Sequence, residues 1–155
     1  MIENIELDKL DDIDKEIIKY LQSDSRATLT FLSKKLNLTR NSIKYRIKNL
    51  EARGYIIKYT TKLDPKKFGK RVTAIFNFNV PLDQIKSFAN DLKKYENIVN
   101  IYFTTGHYSI NAMGIFENHE DLNRFLIDNL SKTPIREYVV STVLEQYKEQ
   151  FYELK

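Results

Sequence analysis

Thr39-Arg-Asn-Ser-Ile-Lys-Tyr-Arg-Ile-Lys-Asn-Leu-Glu-Ala-Arg-Gly54 is the stretch on which the reading of this 155-residue chain turns. Its apolar residues Ile43, Ile47 and Leu50 recur at i, i+4 and i+7, which is one stripe of an α-helix. Thr39 is placed to cap the helix at its start, and Gly54 to supply the left-handed residue that stops it. The outward positions carry Arg40, Asn41, Lys44, Tyr45 and Lys48. One face can dock on a core while the other presents cations, the combination that a helix reading duplex DNA needs. An amphipathic helix alone is more often a solvated surface helix, so the neighbouring elements decide between the two readings.

On the N-terminal side, Asp11, Asp12 and Asp14 put negative charge where a helix begins, and Ile13, Ile17, Ile18 and Leu21 form its apolar stripe. Thr28 then caps a short second helix with Leu29, Leu32 and Leu36 inward and Lys34 and Lys35 outward, and Asn37-Leu38 makes the break before Thr39. That spacing is helix-turn-helix. Met1 to Lys9 has no clear period and reads as a lead-in. On the C-terminal side, Tyr55, Ile57, Tyr59, Thr61 and Leu63 alternate with Ile56, Lys58, Thr60 and Lys62, which predicts an extended wing until Asp64-Pro65 and Gly69 break the pattern. The expected division is a helix-turn-helix domain with wing over 1–63, a linker over 64–71 and a second domain over 72–155.

Charge follows the same division. Lys34 to Arg71 holds thirteen Lys and Arg against Glu51 and Asp64, whereas the stretch beyond Arg71 is net acidic. Packing does not require such a concentration of cations, which argues against a pure assembly module and for double-stranded DNA as a partner. With no Cys and two His, a thiolate metal site, a Cys nucleophile and a zinc cluster are all disfavoured, and neither a metal nor a cofactor is expected. Apolar runs are short and the first twenty positions are acidic, so no membrane span or signal peptide is expected and the cytoplasm is the expected location.

From Val72 the pattern changes. Val72, Ala74, Phe76, Phe78 and Val80 alternate with polar positions in a strand, and Pro81 introduces a helix with Ile85, Phe88, Ala89 and Leu92 inward. Ile98–Thr105 and Tyr108–Phe116 read as strands joined near Gly106. A second helix carries Leu122, Phe125, Leu126 and Leu130 and stops at Pro134, and Ile135–Leu144 is the last strand. The fold class is therefore α+β, a winged helix-turn-helix domain followed by a ferredoxin-like βαββαβ sandwich with both helices on one face of an antiparallel sheet. Ile75, Ile98 and Ile115 are expected on the uncovered face, where a second copy is the simplest cover. In the tail, Tyr147, Phe151 and Leu154 have helical spacing.

Leu10-Asp-Asp-Ile-Asp14, Ile17, Leu21, Ser25-Arg26, Leu32, Leu36, Leu38-Thr39, Arg46-Ile47, Leu50-Glu51, Gly54, Ile56, Tyr59, Leu63 and Gly69 resemble the Lrp/AsnC (feast/famine) transcription regulators, in spacing as well as in residue type. The resemblance runs to about Leu144 and is looser in the second half. It implies a sequence-specific DNA-binding regulator that forms homodimers through its C-terminal sheet, with assembly to a tetramer or octamer left open. It also implies that Thr39 starts the recognition helix, that Arg40 to Lys48, including Ser42, supply major-groove contacts, and that Thr28 and Arg46 lie near the sugar-phosphate backbone. Arg46 borders the apolar stripe, so pairing with an acid of the first helix is an equal alternative. Lys58 on the wing is placed to hold phosphate.

Thr105-Gly106-His107-Tyr108-Ser109 matches in part the family's Gly-x-Tyr/Phe-Asp turn, which implies a site for an amino acid or other small-molecule effector. Ser109 stands where the family has Asp, and Val140 where it has Thr. A hydroxyl gives an α-ammonium a weaker bond than a carboxylate does, so an effector-independent regulator and a plain hairpin both stay open. His107 and His119 lack a nucleophile or further ligands nearby in sequence, and no catalytic residue is expected. The enzyme alternative is a sirohaem decarboxylase of similar two-part build, and no segment marks its site.

Overall fold

The computed structural model describes residues 10–130, 133, 135–149 and 152–154. The lead-in, the Pro134 stop and Phe151 lie outside these residues. Two compact units are present, one of residues up to Lys62 together with the tail from Glu149, the other Leu63–Lys148.

In the first unit, α1 (Asp12–Ser23) begins among its three aspartates, and α2 (Leu29–Leu36) and α3 (Arg40–Ala52) start where the sequence places their caps. The Asp11 carboxylate accepts from the Asp14 amide at 2.7 Å, Thr28 Oγ1 from Phe31 and Thr39 Oγ1 from Ser42, both at 3.1 Å. Asn37 turns left-handed (φ 52) to end α2, and Gly54 (φ 75) does so after α3, where the Tyr55 amide donates back to the Leu50 carbonyl. Ile17, Leu32, Ile43 and Leu50 are sealed from solvent and tie the three helices together. Truncating any one to Ala removes packing worth roughly 2–5 kcal/mol.

The wing departs from expectation. Residues 56–64 form no strand, and of the alternating set only Ile56 packs against the helical core. Ile57 is 89% exposed, and Tyr55, Tyr59 and Leu63 are exposed too. A strand needs a partner ladder, and among the described residues this segment has none. Beyond it, Asp64 caps a single 3-10 turn, Pro65–Phe68, closed by Gly69.

In the second unit the order is β1 (Val72–Asn79), α4 (Ile85–Leu92), β2 (Ile98–Phe103), β3 (Ile110–Phe116), α5 (His119–Phe125) with a π-turn extension over Leu126–Leu130, and β4 (Glu137–Thr142). The strands stand in the order β2-β3-β1-β4, all antiparallel, which is the predicted ferredoxin-like arrangement. Phe76, Phe78, Ile110 and Phe116 from the sheet bury against Phe88 and Leu92 of α4 and Leu122 and Phe125 of α5, so both helices cover one face. Gly114 admits the close approach of these rings, since a Cβ there would stand 2.8 Å from the Phe116 ring. The other face presents Ile75, Asn77, Met113, Ile115, Val139 and Ser141. Ile98 is not among them. A register shift between Ile98 and Asn100 turns Ile98 inward opposite Gly114 and leaves Val99 exposed instead.

Candidate functional site

Burial of Ile43 and Leu50 fixes the roll of α3 and thereby the direction of its opposite side. Arg40, Asn41, Lys44, Tyr45 and Lys48 are all exposed, Tyr45 by 73%. Among the described residues their side chains make no hydrogen bond or ion pair. Three cations, an amide and a phenol thus stand open along one helix face, with the chemistry to hold phosphates and to address base edges. Ser42 is half-buried behind them. Thr28 and Thr39 spend an oxygen lone pair on capping, which leaves each hydroxyl hydrogen available to a phosphate.

Arg46 is engaged elsewhere. Its Nη1 donates to Asp11 Oδ2 at 2.6 Å and to Asp14 Oδ1 at 2.7 Å, bridging α3 to the start of α1. Of the two sequence readings, pairing with the first helix is the contact present. The Asp14 amide, and after it the guanidinium, hold the Asp11 carboxyl below its usual range, and Asp14 and Asp11 together raise Arg46 further. An open groove of about 460 Å³ lies along this bridge, lined by Ser42, Tyr45, Asn49 and Arg53 as well as the ion pair. On the wing, Lys58 is exposed, whereas Lys62 pairs with Glu149 at 2.8 Å. The Tyr59 phenol donates to Glu51, and burial with that carboxylate pushes it up to about 12.

The β2–β3 connection brings together a second set. Gly106 at φ 108 takes a backbone conformation that side chains disfavour, while the Thr104 amide donates to the Ser109 carbonyl and the Thr104 hydroxyl to the Tyr108 carbonyl. Glu137, at the start of β4, receives both following side chains: His107 Nε2 lies 2.9 Å from its Oε2, and the Tyr108 hydroxyl donates to its Oε1 at 3.1 Å. The His107 and Tyr108 rings meet edge to face at 4.8 Å. These two partners hold the Glu137 carboxyl below its usual range, and Glu137 in turn raises the Tyr108 phenol. Nothing in the turn motif pointed to Glu137, which lies 30 residues from His107.

Ser109 departs from its expected place in an effector site. It is buried, and its hydroxyl accepts from the Val80 amide and donates to the Val80 carbonyl, both at 3.2 Å. It fastens the hairpin to the end of β1. Val140 packs against the core, and Thr105, Gly106 and His107 are exposed. His119 is the exposed first residue of α5. Among the described residues no group of three or more His, Cys, Asp or Glu is placed to hold a metal, and no helix is long and apolar enough to cross a membrane.

Residues 10–57 match the family model described as winged helix-turn-helix DNA-binding, and residues 73–152 match the Lrp/AsnC ligand binding domain. An uncharacterized HTH-type transcriptional regulator of Pyrococcus abyssi is 35% identical over 142 residues, covering 92% of this chain and 97% of that protein. The structure of E. coli AsnC superposes with a TM-score of 0.89 at 21% identity, over 94% of this chain and 99% of that one. A transcriptional regulator of Neisseria meningitidis solved as its L-Met complex gives 0.86 at 23% identity, over 95% and 97%. The relatives carry the names of transcription regulators, so the sirohaem decarboxylase alternative has no support. The chain belongs to the Lrp/AsnC family of DNA-binding transcription regulators.

Proposed function

We propose that the outer face of α3 enters the major groove, with Arg40 and Asn41 directed at base edges, Lys44, Tyr45 and Lys48 at the groove walls, and Thr28, Thr39 and Lys58 at phosphates. The observation that carries this reading is the open state of the five side chains on that face. Ser42 supports the helix start, and Arg46 acts as a positioning residue through Asp11 and Asp14.

The active species in this reading is a homodimer. The sheet face opposite the helices offers Ile75, Met113, Ile115 and Val139, and the wing, which forms no strand, offers Ile57 and the Tyr59 ring to a second copy. Two-fold symmetry then requires a roughly palindromic operator with half-sites spaced by helical turns. Acting on chromosomal DNA places the protein in the cytoplasm. Footprinting of the full chain is expected to protect paired half-sites on one face of the duplex; a single isolated half-site would contradict the dimer.

Effector control is assigned to the hairpin of Thr105, Gly106, His107 and Tyr108. The Neisseria relative was solved with L-Met, and here the carboxylate that His107 and Tyr108 bond is that of Glu137. An amino acid entering this site exchanges its ammonium for the His107 and Tyr108 contacts of Glu137. Thermal unfolding against the common amino acids at millimolar concentration tests this: a rise in Tm with one of them is expected, and none with any would leave a regulator without an amino-acid effector.

A further inference from the structure

The tail from Glu149 groups with the DNA-binding unit and is held there by a specific set of polar contacts. Gln22, in the last turn of α1, spans the tail backbone across Glu153. Its Nε2 donates to the Tyr152 carbonyl at 2.8 Å, and its Oε1 accepts from the Leu154 amide at 3.1 Å. One side-chain amide thus takes a carbonyl and an amide two residues apart, as a neighbouring strand would. A third contact joins Glu149 Oε2 to Lys62 Nζ at 2.8 Å.

The character of these contacts is as informative as their existence. Tyr152 is 87% exposed, so among the described residues the contacts that hold the tail here are polar and open to water. Exposed hydrogen bonds and ion pairs contribute little each, which makes the docked state easy to leave. The acid delivered by docking is not placed at random. It falls on a lysine of the basic stretch Lys34 to Arg71, four residues after the wing residue Lys58 in sequence.

We propose that the tail, through Glu149 and through the Tyr152 and Leu154 backbone seated on Gln22, is an internal cap on the DNA-binding unit that occupies Lys62 and withholds its charge from DNA phosphate. Undocking the tail returns one cation per chain to the interface. The inference rests on the DNA-binding reading above and adds a control element within the same unit.

Full-length Gln22→Ala, Glu149→Gln and the double variant Lys62→Gln/Glu149→Gln test it against a mixed-sequence duplex. Gln22 is exposed at a helix end where Ala is well tolerated, so the fold is retained. Gln22→Ala is expected to raise the NMR backbone mobility of Tyr152 and Leu154. Both single variants are expected to bind the duplex more tightly, by about fourfold per chain near ~0.2 M salt, with a salt slope steeper by about 0.9. The double variant is expected to show no gain. A tail as mobile in the wild type as in Gln22→Ala would overturn the dock, and a released tail with unchanged affinity and slope would overturn the withholding of Lys62. A wild type that binds no duplex would overturn the DNA-binding reading and the gating with it, while the mobility comparison still reports on the dock.

Discussion

The outer face of α3 and the β2–β3 hairpin are both polar and exposed, yet they differ in whether their groups are already satisfied. Arg40, Lys44 and Lys48 stand without side-chain partners among the described residues. His107 and Tyr108 both bond to Glu137. The first arrangement meets a partner at no cost in broken contacts and suits long-range attraction to a polyanion. The second must exchange existing bonds for new ones, so its ligand has to offer comparable hydrogen bonding before it gains anything.

The largest expected effect breaks the open side of this contrast. If the α3 face neutralises phosphates, operator affinity falls by about 10³-fold or more between ~50 and ~200 mM salt for a dimer making six or more such contacts, as read by fluorescence anisotropy. A flat salt dependence would remove the electrostatic basis of the reading. Next comes the distinction between cations on the same helix. Arg46→Ala leaves Asp14, whose side chain is only 11% exposed, without its guanidinium partner and is expected to destabilise by about 1–3 kcal/mol in chemical denaturation, whereas Lys48→Ala is expected to leave stability unchanged. Equal stability of the two variants would mean that Arg46 is not a positioning residue.

In the second unit, Gly114→Ala forces a methyl against Phe116, Phe76 and Ile98 and is expected to cost about 1–3 kcal/mol without touching either site. A neutral outcome would show that the ring cluster gives way more easily than its packing implies. The smallest effect belongs to the closed side of the contrast. The folded Glu137 carboxyl is depressed, so its contribution to stability is present above the ordinary carboxylate pKa and is lost as pH falls through the lower folded value. NMR titration of Glu137 is expected to show this depression, and His107→Ala to relieve part of it. An unshifted Glu137 in the wild type would mean that the hairpin contacts do not persist in solution.

How much of this was legible in the sequence depended on how far each signal reached. Thr28, Thr39, Asn37 and Gly54 act on amides and carbonyls a few residues away, so helix limits could be read locally. The alternation of Val72 to Val80 showed which side of β1 faces the core. The same alternation misled at Tyr55 to Leu63, because period two describes a strand only where a neighbour supplies the ladder. Ile98 was misplaced because one bulged residue reverses the faces of a strand. The site residues divided likewise: the α3 face followed from helical geometry, while Ser109, Glu137 and Gln22 take partners about 30 to 130 residues away, with no local mark.

The most direct test of the central claim is duplex binding by Arg40→Ala and Lys44→Ala, measured alongside thermal unfolding of the same samples. Lost contacts of this kind weaken binding by about 1–3 kcal/mol for a base-directed arginine and less for a phosphate-directed lysine. The account predicts weaker operator binding in both variants, about tenfold or more for Arg40→Ala, with Tm unchanged. Wild-type affinity in both would contradict the assignment of the α3 face to DNA.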